Sequence, residues 1–251
     1  MRETGAYVGI NAVLGALESP RRIVDRVLLE KGRGGPRIRE IIEAARHAGV
    51  PVAEVDRQRL DRLAPGARHQ GVAGLAAAGA YADLDQVVGA CLPEGRLVLL
   101  DGVEDPRNLG AVVRTAAAVG VRGIVIPEHR AAGLTPGAVR AAAGTLPAVP
   151  VARCRNIADL ASDLKEQGFW IAGLDQSGEL AWDQIQYPGR MALVVGGEAK
   201  GLRPRVRGAC DAVLSIPLSA GVESLNLSVA AAVVLYEALR QERAGGGPKK
   251  R

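Results

Sequence analysis

The sequence predicts an α/β protein in two parts, a small mixed unit at the N-terminus and a larger unit built on a parallel sheet. Length is the first reason: 251 residues suit one large domain or two small ones, at about 100–200 residues per domain. Composition is the second, since 48% hydrophobic and 24% charged residues are ordinary for a globular chain. Disordered and fibrous classes are thereby excluded. The third is a long alternation of short apolar runs with helical periodicities from Arg96 onward, the pattern of strands covered on both faces by helices.

In the first part a helix is expected over Ile10–Leu17, stopped by Ser19-Pro20. Ile23–Leu29 is apolar and β-branched enough for a strand. Pro36 suits a helix first turn, and Ile38, Ile41, Ile42 and Ala45 follow at helical spacing until Gly49. Val50–Val55 reads as a strand, Gln58–Leu63 as a short helix and Val72–Ala76 as a final strand. Residues 1–78 form this unit, with a linker and a possible short helix over 79–95.

Residues 96–243 form the second. Leu97–Leu100 is a short buried strand, Leu109–Val119 a helix and Gly123–Ile126 a strand. A helix follows Pro136, then a strand near Val149–Val151 and a helix over Asn156–Gln167. Trp170–Leu174, Ala192–Val195 and Ala212–Ile216 read as further strands, Arg203–Gly208 as a helix and Leu225–Arg240 as a long last one. The tail 244–251 is expected to be disordered.

Composition also narrows the function. Only 3% of residues are aromatic, with one phenylalanine, so recognition of RNA by a sheet of stacking aromatics is excluded. The net charge of +5 permits a nucleic-acid partner without demanding one. Arg243, Lys249, Lys250 and Arg251 supply most of that excess, so it is not evidence of a binding surface. Cys91, Cys154 and Cys210 have no paired spacing and the three histidines are scattered. Neither a disulfide scaffold nor a metal site is expected. No run approaches the ~18 apolar residues of a membrane span. Arg2-Glu3 and Asn11 spoil a signal peptide, so a soluble cytoplasmic protein without membrane attachment is expected.

Three segments carry chemistry. Asp101–Thr115, DGVEDPRNLGAVVRT, lies where a strand gives way to a helix, the place where open α/β sheets put ligands; Asn108 can cap that helix and Arg114 sits on it. Leu193–Leu202, LVVGGEAKGL, runs a strand into Gly196-Gly197, then Glu198 and Gly201. Glycines let a ligand approach backbone closely, yet this is neither a Walker loop nor a Gly-x-Gly-x-x-Gly fingerprint. Leu214–Val229, LSIPLSAGVESLNLSV, ends a strand at Ile216-Pro217 and opens the last helix at Ser224-Leu225-Asn226. There Ser224 is a natural N-cap, whereas Asn226 in the first turn has no such ordinary reason. Taken singly, each segment is equally well a structural turn, a solvated arginine or a cap.

Together and in this order the three segments resemble the motifs of the SpoU (TrmH-type) RNA ribose 2′-O-methyltransferases of the SPOUT class. Tyr7–Leu14 (YVGINAVL) and His69-Gln70-Gly71 are similar to that family's substrate-binding domain. The resemblance implies a C-terminal parallel-sheet SPOUT domain with a trefoil knot and a small N-terminal α/β ribosomal-protein-like RNA-binding domain. From periodicity alone a knot would have been argued against, because connections rarely thread. It further implies S-adenosylmethionine bound in a bent shape, a homodimer with cofactor sites near the subunit interface, and large-subunit (23S) ribosomal RNA as substrate, methylated on a guanosine ribose. Gly196, Gly197, Gly201, Ile216, Leu218 and Leu225 would contact the cofactor, and Asn108, Arg114, Glu198, Ser224 and Asn226 would form the polar catalytic set.

Methyl transfer from a sulfonium is an in-line displacement, so alignment matters and the leaving group needs no acid. The difficulty is the ribose hydroxyl. A guanidinium stays protonated, so Arg114 is expected to clamp a phosphate and polarise the 2′-oxygen rather than act as base. Asn108 and Asn226 would orient the hydroxyl and Arg114, and Glu198 would fix one of them. Arg33, Arg37 and Arg39 are the candidate RNA patch of the first unit, with a solvated loop the equal alternative. Other substrates of the same chemistry, transfer RNA or another ribosomal site, and a catalytically dead RNA-binding protein remain the competing readings.

Overall fold

Two sheets organise the chain. The computed structural model describes residues 6–18, 24–63, 66, 68–76, 81–197 and 201–245. Ile23, Glu198, the Ser19-Pro20 stop and residues 246–251 of the expected tail therefore lie outside the described residues, while Ala244 and Gly245, expected to be disordered, end the last helix. By contacts the chain divides into two compact units, Met1–Tyr81 with Gly133–Val139, and Ala82–Ala132 with Arg140–Arg251.

The first unit holds β1 (Ala6–Val8), α1 (Ile10–Leu17), β2 (Val24–Glu30), α2 (Pro36–His47), β3 (Val52–Val55), α3 (Arg57–Leu63) and β4 (Val72–Ala76). Its sheet has the order β1-β4-β2-β3, with only the β2–β3 pair parallel. The three-residue β1 is too short to show a period of two, which is why sequence reasoning misses it. In α2 Pro36 opens the first turn, Ile38, Ile41 and Ala45 make the buried face, and Arg46 and His47 sit at the negative end of the helix. That face meets Val13, Leu14 and Leu17 of α1 over the sheet.

The His69-Gln70-Gly71 turn is a structural device. Gln70 and Gly71 both have positive φ, 53° and 78°. The Gly71 amide donates to Nδ1 of His69 at 3.0 Å, so the ring proton is on Nε2 and is donated to Asp61 at 3.0 Å. Gln70 Oε1 accepts the Ile10 amide at 3.2 Å and so satisfies a first-turn donor of α1 that Gly9 cannot cap. Gly133–Val139 lies more than 50 residues beyond Tyr81 in sequence yet belongs to this unit. The Leu134 amide donates to the Tyr81 hydroxyl at 2.9 Å, and that hydroxyl donates to buried Asp25.

The second unit holds α4 (Leu84–Gly89), β5 (Gly95–Asp101), α5 (Pro106–Ala118), β6 (Gly123–Pro127), β7 (Val151–Cys154), α7 (Ile157–Glu166), β8 (Trp170–Leu174), β9 (Leu180–Ala181), β10 (Arg190–Gly196), α8 (Pro204–Ala209), β11 (Ala212–Ser215) and α9 (Leu227–Gly245); α6 (Pro136–Ala142), between β6 and β7 in sequence, is divided between the two units at Val139. Seven strands form a wholly parallel sheet in the order β7-β6-β5-β10-β8-β11-β9. Every residue of Met191–Gly196 is buried, as a central strand covered on both faces requires. Leu97, Leu99, Ala192 and Val194 face a core shared with Val87 of α4, Ile157 and Leu164 of α7, and Val206 of α8. Alternation turns Val98 and Leu100 to the opposite face, where α9 packs on α5 and β10. After β11 the chain passes back over the end of β8, where the Gln176 side-chain amide donates to the Glu223 carbonyl, and on to α5.

Two boundaries differ from expectation for a reason. The strand expected to end at Val151 begins there instead, because Pro150 can offer the ladder no N–H. The helix expected from Leu225 begins at Leu227, because Asn226 is its cap.

Candidate active site at the carboxyl ends of β8 and β10

The chain leaves β5 towards β6 and β7 on one side of the sheet and returns to build β8 and β11 on the other, with β10 closing the gap. Such a reversal opens a crevice at the carboxyl ends of the strands. A cavity of about 480 Å³ lies there, within the ~300–1,000 Å³ of small-molecule sites. Leu174, Asp175, Gln176 and Ser177 line it from the end of β8, and Val195, Gly196, Gly197 and Gly201 from the end of β10. Ile216 and Leu218 follow β11, and Glu223, Ser224, Leu225, Leu227 and Ala230 complete the wall. All six residues expected at the cofactor are thus brought to one cavity, from two segments of chain.

The glycine turn after β10 is shaped by close approach. Gly197 and Gly201 exchange both backbone hydrogen bonds, 3.1 and 3.0 Å long. A Cβ on Gly196 would stand 2.3 Å from the Gly201 carbonyl carbon. Gly201 has φ +60°, and a Cβ there would stand 2.2 Å from Asp175 Oδ2. Neither Gly196 nor Gly201 has room for a side chain, so at these positions the wall is bare backbone beside Leu174, Ile216, Leu218 and Leu225. An apolar slot edged by backbone polar groups and carboxylates fits a compact cationic nucleoside such as S-adenosylmethionine.

Asp175 binds what surrounds it. Its oxygens accept the Leu202 amide at 2.8 Å, the Ser177 amide at 2.9 Å and the Ser177 hydroxyl at 2.6 Å. Arg207 lies 3.6 Å away. Burial alone would raise its pKa, but the Ser177 hydroxyl, the two amides and Arg207 outweigh that and hold the carboxyl below the usual range.

Asn108 and Asn226 meet. Asn226 Nδ2 donates to Asn108 Oδ1 at 3.0 Å, while Asn226 Oδ1 accepts the Ser228 amide at 2.9 Å and the Ser228 hydroxyl at 2.6 Å. Asn226 is therefore the N-cap of α9, correcting the assignment of that role to Ser224, which is exposed on the cavity wall. Asn108 is not a cap either. Asp105 caps α5 by accepting the Arg107 amide at 2.8 Å, Pro106 is the first helical residue, and Asn108 stands one turn inside. Arg114 is exposed on α5, about 120° round the helix from Asn108 at 3.6 residues per turn. Among the described residues its guanidinium has no hydrogen-bond or ion-pair partner, and the structure does not bring it to the two asparagines. Glu198 lies outside the described residues.

Other chemistries find little support in this unit. Burial pushes the Cys154 thiol up to about 12, with Glu128 adding to it, and the Cys91 and Cys210 thiols to about 11. None is a thiolate at neutral pH. Among the described residues no group of three His, Cys, Asp or Glu side chains is placed to hold a metal ion, and no helix is long and apolar enough to cross a membrane.

Comparison with known proteins places this arrangement. Residues 95–236 match the SpoU rRNA Methylase family, and residues 8–82 match the family of RNA 2'-O ribose methyltransferase substrate binding domains. The chain belongs to the SpoU rRNA methylase family. This SpoU methylase is 41% identical over 237 residues to the 23S rRNA (guanosine-2'-O-)-methyltransferase RlmB of Xanthomonas axonopodis pv. citri, covering 93% of its own length and 95% of the relative. It is 38% identical over 242 residues to a TrmH family tRNA/rRNA methyltransferase, YacO, of Bacillus subtilis, covering 95% and 96%. Among solved structures, the AdoMet-bound rRNA methyltransferase of Sinorhizobium meliloti superposes with a TM-score of 0.60 at 26% identity, over 95% of this chain and 87% of the other. The SpoU methyltransferase AviRb of Streptomyces viridochromogenes shares the fold, with a TM-score of 0.61 over 96% and 91% of the two chains. The α/β parallel-sheet class implied by the motifs holds for this SpoU methylase.

Sequence reasoning missed the β8 end of the site. Leu174–Ser177 form part of the cavity, and the only sign of them was a strand followed by the turn residues Asp175, Gln176, Ser177 and Gly178.

Proposed function

We propose that this SpoU methylase transfers a methyl group from S-adenosylmethionine to the ribose 2′-oxygen of a guanosine in large-subunit (23S) ribosomal RNA, in the cytoplasm and as a homodimer. The observation that carries the reading is the Asn226–Asn108 hydrogen bond beside the cavity, which links the first and third motif segments. Family membership and the extent of identity with the RlmB relative support the chemistry and the substrate class.

The cofactor would supply a methyl group on a sulfonium that leaves as a neutral thioether without an acid, the 2′-hydroxyl proton passing to water. What the protein must supply is alignment and an activated hydroxyl. Gly196, Gly197 and Gly201 with Ile216, Leu218 and Leu225 hold the cofactor through backbone and apolar contact. Asn226 fixes Asn108, and Asn108 with Ser224 orients the ribose hydroxyl. The Arg114 guanidinium takes an RNA phosphate as its partner and polarises the neighbouring 2′-oxygen; always protonated, it does not serve as base. Glu198 is assigned to holding one of these polar groups.

Residues 1–78 are assigned the recognition of RNA, with 79–95 as the connection to a catalytic domain over 96–243. In the first unit Arg37 is engaged by Glu40 and Asn11, each at 2.6 Å, and Arg33 lies 3.9 Å from Glu30, so Arg39 is the arginine of the patch most open to phosphate. Val222, Leu225, Val229 and Tyr236 are exposed apolar side chains from the cavity rim along α9, a stripe suited to a second copy of the chain.

The test is transfer of labelled methyl to unmethylated 23S ribosomal RNA, followed by mapping of the modified nucleotide. A labelled guanosine 2′-oxygen is expected. Label on transfer RNA or at another ribosomal site would replace the substrate assignment, and no transfer to any RNA would favour a binding protein. Sedimentation at micromolar concentration is expected to give twice the 26.1 kDa chain mass, and a monomer would remove the dimer from the proposal.

A further inference from the structure

Gly196, Gly197 and Gly201, which line the cavity, have no side chains with which to hold their own backbone in place. The exit from Gly201 is gripped from both neighbours of β10. On the β8 side, Asp175 accepts the Leu202 amide at 2.8 Å and is itself held by both donors of Ser177 and by Arg207. On the β5 side, Asp101 is the last residue of its strand, and its side chain is 0% exposed. Its carboxylate accepts the Arg203 guanidinium and, at 3.4 Å, the Arg203 amide. Two acids from the two flanking strands thus fasten two consecutive residues, Leu202 and Arg203, directly after the turn.

The cost of burying these acids shows that packing alone does not explain them. A buried carboxylate is unfavourable unless paired and hydrogen-bonded, and apolar residues would fill the ends of β5 and β8 more cheaply. Arg203 keeps half of its side chain exposed, 51%, so the pair also adds little to the core. What the two carboxylates do uniquely is fix the height of the Gly201–Arg203 backbone against β5 and β8. The entrance of the turn is fixed already by the Gly197–Gly201 pair of hydrogen bonds and by the approach of Gly197 to Gly102, where an added Cβ would meet the Gly102 carbonyl oxygen at 2.9 Å.

We infer that Asp101 and Asp175 are positioning residues for the methyl transfer, a two-sided clamp that holds the Gly201–Arg203 backbone where it receives S-adenosylmethionine. The inference rests on the reading of this cavity as the cofactor site. Neither acid is required to touch the reacting atoms; each acts through the backbone of Leu202 and Arg203, which it holds before the cofactor arrives. Losing either grip therefore weakens cofactor binding and leaves RNA recognition alone.

The test compares Asp175→Ala, Asp175→Asn, Asp101→Ala and Asp101→Asn with the parent chain. Calorimetric titration with S-adenosylmethionine is expected to show about a tenfold rise in Kd for each alanine variant, the size of a lost hydrogen bond to a charged group. Asp175→Asn keeps an acceptor for the Leu202 amide and is expected to recover most of the affinity. Asp101→Asn loses the charge that holds Arg203 and is expected to recover less. The KM for RNA should stay within twofold throughout. Hydrogen exchange of the 201–203 amides in the cofactor-free variants gives a second readout, expected to accelerate in both alanine variants while the β10 amides stay protected. Unchanged Kd and unchanged exchange in the alanine variants would overturn the clamp. So would a loss of affinity matched by a fall in Tm and by faster exchange along β10, which would mark a purely structural role. If the parent chain fails to bind S-adenosylmethionine, the cavity reading fails, while the exchange arm still reports on the clamp.

Discussion

Asn226 and Asn108, 118 positions apart in sequence, share a hydrogen bond of 3.0 Å from Nδ2 of the first to Oδ1 of the second. Asn226 spends its carbonyl on capping α9 and its amide on Asn108, so one side chain starts a helix and steers a second polar group. The two roles are separable. Asn226→Asp should cap as well as the parent residue but donates nothing to Asn108. Its Tm is expected to stay within a few degrees while turnover falls at least tenfold, the order of one lost positioning hydrogen bond. Asn226→Ala should lose turnover equally and in addition about 1 kcal/mol of stability by urea denaturation. A fully active aspartate variant would remove Asn108 orientation from the mechanism.

Arg114 is exposed, so Arg114→Ala should leave stability within about 0.5 kcal/mol. Turnover should fall by two orders of magnitude or about that, since a clamp on substrate charge is lost. Arg114→Lys keeps the charge without the planar fork and is expected to restore only part of the rate. Near-full turnover by the lysine variant, measured with saturating RNA, would sink the bidentate clamp.

Gly201→Ala places a methyl group at φ +60° and 2.2 Å from Asp175 Oδ2. Destabilisation of more than about 1 kcal/mol is expected from the backbone conformation alone, together with a weaker calorimetric affinity for S-adenosylmethionine. Gly208→Ala, on α8 with open space around its Cβ, is the control and should change neither.

Glu237 anchors α9. Arg240 grips it with two hydrogen bonds of 2.7 Å and Gln241 adds one of 2.9 Å. The Arg240 contacts first, then Gln241, overcome its burial and bring its pKa down from 4.5 to about 2. A carboxylate with a depressed folded pKa stabilises above its unfolded value and loses that contribution as the pH falls through the folded one. Glu237→Gln is therefore expected to be less stable than the parent at pH 7. The gap should begin to close below about pH 4.5 and vanish near pH 2, which urea denaturation across that range would check. A gap independent of pH would mean that shape rather than charge holds the contact.

The legible parts of this fold are those decided locally. Ala192–Val195 announced a strand because a short apolar run next to helices of clear period reads as one, and it is the middle of β10. Pro36 marked the first turn of a helix because its φ and missing N–H suit that place, whereas α5 begins at Pro106, three residues before the expected Leu109. The three motif segments were legible as candidates, and the expected cofactor residues do line one cavity. The short pieces were not legible. β1 and β9, of three and two residues, exist because a neighbouring strand offers hydrogen bonds, and no period of two can show in so few positions.

Capping shows the same division at single residues. Asp105, Asn108, Ser224 and Asn226 are all good caps by type, and nothing local chooses among them. Packing of α5 and α9 chose, setting the first turns at Pro106 and Leu227 and so making Asp105 and Asn226 the caps. The sequence by itself determined the class of fold, the order of its strands and helices and the segments that carry its chemistry, because these follow from hydrophobic period, turn residues and motif. Only the tertiary structure decided that Asp175 and Asp101, 27 and 102 positions from the residues they bind, hold the glycine turn. A carboxylate can bind any backbone amide, and which one it meets is set by the insertion of β10 between β5 and β8.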